Sequence, residues 1–192
     1  MFEVEQKYHV HNRAELVERL AIEDAILVSE NENRDTYYNH PCRDFSQTGE
    51  ALRVRRIDGV PLVTFKGTKR PGLVKAREEL EWRLDPGDDD GTKMERLLIH
   101  LGFREVATVT KRRETYRLGG AEDAITITID EVASLGRDGQ AGLFAEIECV
   151  LPDANPTDDT IEATRARVSS LALTLGLREP EPRSYLRMQL ER

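Results

Sequence analysis

In FEVEQKY, residues 2–8, Glu3, Glu5 and Lys7 alternate with Phe2 and Val4, and the alternation returns along the chain. Arg53 and Arg55 share one parity in ALRVRRI, as do Lys66 in LVTFK, and Arg77, Glu79 and Glu81 in AREELEW. Lys111 and Arg113 repeat it in VTKRRE, Asp130 in ITITID, and Glu146 and Glu148 in AEIEC. Alternate side chains of a strand point to opposite faces, so each stretch carries its ions on one face and apolar groups on the other. Carboxylates two residues apart stand side by side and repel unless a cation lies between them. An oxygen-rich, histidine-free donor set suits Mg²⁺ or Mn²⁺. Guanidinium forks match phosphate oxygens. Acids that hold a metal beside bases that hold phosphates are the parts that phosphoryl and nucleotidyl chemistry uses. An antiparallel sheet with one wet face gives the same alternation. The pattern therefore leaves two arrangements open, a solvated face or the interior of a closed barrel.

The elements that must position these groups read mostly as strands. Asn12, with Glu15 three residues on and Leu16, Val17 and Leu20 inward, predicts a short helix. Residues 25–39 read as one or two strands, and PCRDFSQTG as a loop. Asp58-Gly59 between ALRVRRI and VPLVTFK predicts a hairpin. LVKAREELEWRL reads as a strand with Trp82 packed under a helix, and the Asp88–Asp90 run as a solvated loop or helix start. A helix is predicted over 92–101, with Met94, Leu97, Leu98 and Leu101 as its apolar stripe and Gly102 as its stop. FREVATVTKRRETYRL and AITITIDEV read as long strands joined around Gly119-Gly120. SLGRDGQAG then reads as a glycine-rich loop before the strand LFAEIECVL. A second long helix runs from about 156 to 175, and the tail LREPEPRSYLRMQL is extended through its prolines. His9 and His11 lack a third ligand in sequence, and Tyr37, Tyr38 and Tyr185 read as packing.

The chain's 192 residues fit one domain, 1–192, with no repeat or linker dividing it. A formal net charge of −8 speaks against a general nucleic-acid binder. No apolar run reaches a membrane span, and the charged start lacks a signal-peptide pattern. Cys42 and Cys149 have neither metal-type nor disulfide spacing, so both read as reduced thiols of a cytoplasmic protein.

Taken in order, these blocks resemble the CYTH superfamily, the triphosphate tunnel metalloenzymes. Glu3, Glu5 and Lys7 match its E-x-E-x-K signature; DTYY with ALRVRR, TFKG, AREELE, KRRETY, ITIDEV and FAEIE match its later blocks. The resemblance implies an α+β fold, an eight-stranded antiparallel closed β-barrel with flanking helices, spanning the chain. It implies Glu3, Glu5, Asp130, Glu146 and Glu148 as metal-site acids, with Glu79 and Glu81 near the metals. Lys7, Arg53, Arg55, Lys66, Arg77, Lys111 and Arg113 match the triphosphate-binding bases, and Glu3, Glu5, Lys7, Lys111 and Arg113 the catalytic set. Mg²⁺ or Mn²⁺ is the implied cofactor. DTYYNHPCRDF leading into ALRVRR, together with RSYLRM, looks most like the class IV adenylate cyclase (CyaB-type) branch, which converts ATP to cyclic AMP and pyrophosphate and is often a homodimer. Triphosphatases acting on inorganic tripolyphosphate or thiamine triphosphate, and non-catalytic polyphosphate- or nucleotide-binding modules, are the alternatives. One departure is the inserted RDGQAG, a lengthened loop over 137–142 expected at the tunnel mouth.

Overall fold

A computed structural model describes residues 1–72, 74–120, 124–137, 140–153 and 155–192. The strands are β1 (Phe2–His9), β2 (Ile26–Asn39), β3 (Ala51–Ile57), β4 (Val60–Lys66), β5 (Lys75–Arg83), β6 (Arg104–Leu118), β7 (Ile125–Arg137) and β8 (Gln140–Leu151). They pair antiparallel in the order β1-β5-β4-β3-β2-β6-β7-β8, and β8 returns to β1 to close the barrel. Closure decides between the two arrangements, because the ionic face of every strand becomes the lumen.

The apolar faces then point outward and need cover. Helix α1 (Arg13–Ile22) and helix α4 (Asp158–Thr174) supply it. Phe2, Val4, Ala76, Ile127 and Ile147 of the barrel's outer face pack with Leu16 and Leu20 of α1 and Ile161, Val168 and Leu171 of α4. A second cluster sits under α3 (Thr92–His100), where Val54 and Val63 meet Leu98. Burying such a side chain contributes roughly 1.5–3 kcal/mol. The stabilising core therefore lies between barrel wall and helices, while the lumen holds the charges.

Local signals fix the ends of these elements. Asn12 Oδ1 accepts from the Glu15 amide at 3.2 Å and starts α1. Asp88 accepts from the Lys93 and Met94 amides at 3.0 and 2.8 Å, so the acidic run is a helix start. Asp58 and Gly59 both have positive φ, 49° and 87°, which suits the two-residue hairpin between β3 and β4.

Four expectations are corrected. PCRDFSQTG contains a one-turn helix, α2 (Phe45–Thr48), capped by Asp44. Leu97 and Leu101 are exposed, because α3 touches the barrel along Leu98 with Met94 beside it. Trp82 is 56% exposed and does not pack under a helix. SLGRDGQAG is not a loop: β7 runs on to Arg137, which pairs with Gln140 at the start of β8, and 138–139 lie outside the described residues. A Cβ on Gly136 would stand 1.8 Å from the Gln140 carbonyl oxygen, so glycine is required where the extended hairpin closes up. After α4 the proline-bearing tail is extended and ends in α5 (Tyr185–Leu190).

Candidate active site

The lumen is a cavity of about 790 Å³. Of the residues singled out above, Glu3, Glu5, Lys7, Arg53, Arg55, Lys66, Arg77, Glu79, Glu81, Lys111, Arg113, Glu146 and Glu148 line it. Asp130 does not reach the cavity surface. It is fully buried behind the bases.

On the acidic side, register places Glu5 of β1 opposite Glu148 of β8 and Lys75 of β5. The Lys66 ammonium stands at the focus, 2.8 Å from Glu3 Oε2, 2.7 Å from Glu79 Oε2 and 3.9 Å from Glu5 Oε2. Lys75 Nζ donates to Glu5 Oε1 at 3.0 Å. Burial drives the Glu3 carboxyl well above its usual range, with Lys66 only partly opposing it. Glu148 is pushed up to about 7, chiefly by burial, and the nearby Glu5 and Glu79 charges add to the rise. Glu5 is also buried, yet Lys75, Lys66 and Arg77 outweigh that burial and hold it well below the carboxylate range. Glu81 lies at the exposed end of this wall and accepts from Thr64 Oγ1 at 2.9 Å.

The basic side is organised by carboxylates behind it. Arg113 places Nε and Nη2 on Asp130 at 2.6 and 2.5 Å and reaches Glu146 at 2.6 Å. Lys111 Nζ donates to Asp130 at 3.1 Å. Burial alone would raise Asp130, but Arg113 and Lys111 reverse this and hold it far below its usual value. Arg55 forms a fork on Asp35 at 2.6 and 2.7 Å, and Arg53 Nη1 approaches the same carboxylate at 3.3 Å. Lys7 lies 3.7 Å from Glu146. Lys7 and Lys111 are each lowered to about 8, with burial the main cause.

Two features bear on what the cavity could hold. Arg53 Nε and Arg77 Nε are buried without a hydrogen-bond partner, and a buried N–H donor left unmet is costly. An anion with several oxygens in the lumen would satisfy them. The acids also fit a hard cation. Glu3 and Glu148 have raised affinity for protons, which a divalent ion can replace, and every donor is oxygen. Among the described residues there is no ready-made cation cage, and the Lys66 ammonium stands between Glu3 and Glu79 where a cation would sit. Metal entry therefore requires the Lys66 ammonium to move off Glu3 and Glu79.

Lys75 and Lys69 of this wall and Asp35 behind it are absent from the sequence reading, and Tyr185 reads there only as packing. Lys75 shares parity with Arg77 in KAREELE, so the alternation itself could have included it. Asp35 precedes Tyr37 by two residues and is marked by that period alone. Tyr185 comes from outside the barrel and carries no periodic signal. His9 joins no metal-ligand set; its Nε2 pairs with Glu181 at 3.2 Å.

A closed barrel with such a lumen suits a polyanion held together with a cation. Residues 1–176 match the CYTH domain, and the chain belongs to that family, whose members bind triphosphate substrates and generally use divalent metals. It is 36% identical over 162 residues to a Methanocaldococcus jannaschii protein provisionally named an adenylate cyclase, covering 84% of this chain and 85% of the other. It is 25% identical over 189 residues to "Adenylate cyclase CyaB" of Aeromonas hydrophila, covering 96% and 86%. The solved structure of protein PH1819 from Pyrococcus horikoshii OT3 superposes with a TM-score of 0.81 at 36% identity, covering 98% of each chain.

Proposed function

We propose that residues 1–192 form one tunnel domain with divalent-metal-dependent enzyme activity on a triphosphate, most closely a class IV adenylate cyclase that converts ATP to cyclic AMP and pyrophosphate. The observation that carries this reading is the lumen itself, where a bank of buried bases faces a cluster of proton-retaining acids across one cavity. The names of the two relatives support the cyclase branch over other triphosphate chemistry. Mg²⁺ or Mn²⁺ would be held by Glu3, Glu5 and Glu148, with Glu79 beside them, and would lower the pKa of the attacking hydroxyl. Glu81 stands at the exposed end of the acidic wall, while Asp130 and Glu146 accept from Arg113 on the basic side.

The chain's own contribution is positioning and charge. Arg53 and Arg77 offer unmet donors to the phosphate chain, while Lys7, Lys111 and Arg113 neutralise the charge that builds on departing pyrophosphate. The ribose 3′-hydroxyl attacks the α-phosphorus, the bond to the β-phosphate oxygen breaks, and the hydroxyl proton leaves to water. A hydrolase would use the same wall with water attacking the terminal phosphorus. Product analysis with Mn²⁺ and ATP, tripolyphosphate or thiamine triphosphate separates these. Cyclic AMP plus pyrophosphate is the expected result, and orthophosphate from any of the three would replace the cyclase reading with hydrolysis. The same chain acts in the cytoplasm on a small-molecule ligand, without nucleic acid or membrane. Among the described residues no helix is long and apolar enough to cross a membrane.

The lysines set a pH limit. Lys7 and Lys111 carry charge below about 8 and lose it above. A bound polyanion favours their protonated forms, so binding takes up protons near that pH. Calorimetric affinity for tripolyphosphate should fall as pH rises from 7.5 to 9.5, above the range in which Glu148 ionises near 7. An affinity that stays constant to pH 9.5 would remove both lysines from the phosphate site.

A further inference from the structure

The last residues, 177–192, lie beyond the stretch that matches the CYTH family, yet several of them, Tyr185 included, line the lumen. β5 accompanies β1 only as far as Glu5. Beyond that point the C-terminal segment takes its place: the His9 amide donates to the Glu179 carbonyl at 2.9 Å and the Glu181 amide to the Lys7 carbonyl at 2.8 Å. Ser184 then caps α5, accepting from the Arg187 amide at 3.1 Å, and Tyr185 enters the barrel. Its ring meets Phe144 edge-on at 5.3 Å within a cluster that includes Tyr37, Val109 and Val132. Its hydroxyl donates to Asp130 Oδ2 at 2.7 Å. The Lys7 and Lys111 ammoniums lie 3.8 and 4.8 Å from the ring centroid.

Building on the triphosphate reading, we propose that Tyr185 is a positioning residue that holds Lys7, Lys111 and Arg113 ready for phosphate oxygens, acting through Asp130 and through its ring face. An aromatic face attracts a cation without occupying its N–H donors, whereas a carboxylate would consume them. Lys7 is the clearest case, since its contact with Glu146 at 3.7 Å is beyond hydrogen-bond distance and its donors stay free for a ligand. The hydroxyl acts on the other two bases. It fills a lone pair of Asp130 that would otherwise draw Lys111 and Arg113 back from the cavity.

The test compares wild type with Tyr185→Phe, which keeps the ring, and Tyr185→Leu, which loses ring and hydroxyl. Calorimetry with tripolyphosphate and with ATP gives Kd, steady-state assays give KM and kcat, and thermal melts report folding. Expected are rises in Kd of about 10-fold for Tyr185→Phe and about 10²-fold for Tyr185→Leu, equal for both ligands, with kcat falling in the same order because the same bases meet the departing pyrophosphate. Variants that melt lower but bind as wild type would reduce Tyr185 to packing and overturn the proposal. Weakened ATP binding with unchanged tripolyphosphate binding would also overturn it, placing the ring against the nucleoside instead. A wild-type protein that binds neither ligand would overturn the triphosphate reading, and this proposal with it.

Discussion

Glu148→Gln should make the ligand-free protein more stable while removing most of its metal-dependent turnover. The carboxyl of Glu148 is raised from 4.5 to about 7 by burial and by the neighbouring Glu5 and Glu79 charges. A group whose pKa rises on folding binds protons more tightly in the native state, so its contribution becomes a cost as pH climbs from 4.5 through about 7. Above that window the wild type carries a strained carboxylate, and glutamine keeps the shape without the charge. A gain on the order of 1–3 kcal/mol is expected at pH 8. For a chain of this size that raises Tm by roughly 2–4 °C per kcal/mol. The gain should vanish below pH 4.5, where both forms are neutral. Loss of a metal-ligating acid should meanwhile lower metal affinity or rate by about 10²-fold or more. Glu3→Ala should show the same loss in a Mn²⁺ titration with saturating triphosphate. Near-normal turnover in both variants would end the metal assignment.

Arg113→Met should do the reverse to stability. Asp130 has no exposure and depends on Arg113 for two of its contacts, at 2.6 and 2.5 Å. Removing one partner of a buried ion pair leaves an uncompensated charge and costs about 3–5 kcal/mol. Lys111 and the Tyr185 hydroxyl remain on Asp130 and place the expected value near the lower end. Triphosphate affinity should also fall, by about 10²-fold or more. Adding Asp130→Asn separates the effects. The double variant removes the charge that Arg113→Met strands at Asp130 and should recover part of the lost Tm, since Lys111 still loses its carboxylate and Glu146 its arginine, yet bind triphosphate no better than Arg113→Met. Recovery of both would mean that Arg113 serves the fold alone.

The sign of the charge patterning explains why most of this site was legible in the sequence. Period-two alternation assigns each ion to a face wherever the chain is a strand, and it placed Glu3, Lys66, Lys111 and Glu148 on the same side. It could not decide whether that side was wet, since an open sheet and a barrel have the same period. The order of several blocks, compared with a known family, supplied closure. Periodicity failed where tertiary contact overrides local pattern. Leu97 and Leu101 fit a helical stripe, but α3 has only a narrow line of contact and leaves them exposed. The RDGQAG stretch carries turn residues, yet after a register irregularity beyond Val132 the β7–β8 pairing resumes at Arg137 and Gln140, where the backbones approach closely at Gly136. Tyr185 reads only as packing for a different reason. Its place depends on the C-terminal segment pairing with β1, a contact across almost the full chain that no local window contains.

The most direct measurement is an anomalous-difference map from a crystal grown with Mn²⁺ and tripolyphosphate. A manganese peak between Glu3, Glu5 and Glu148, with Lys66 withdrawn and phosphate density against Arg53, Arg77 and Lys111, is the predicted result. A lumen without either ligand, or manganese found only on the outer wall, would contradict it.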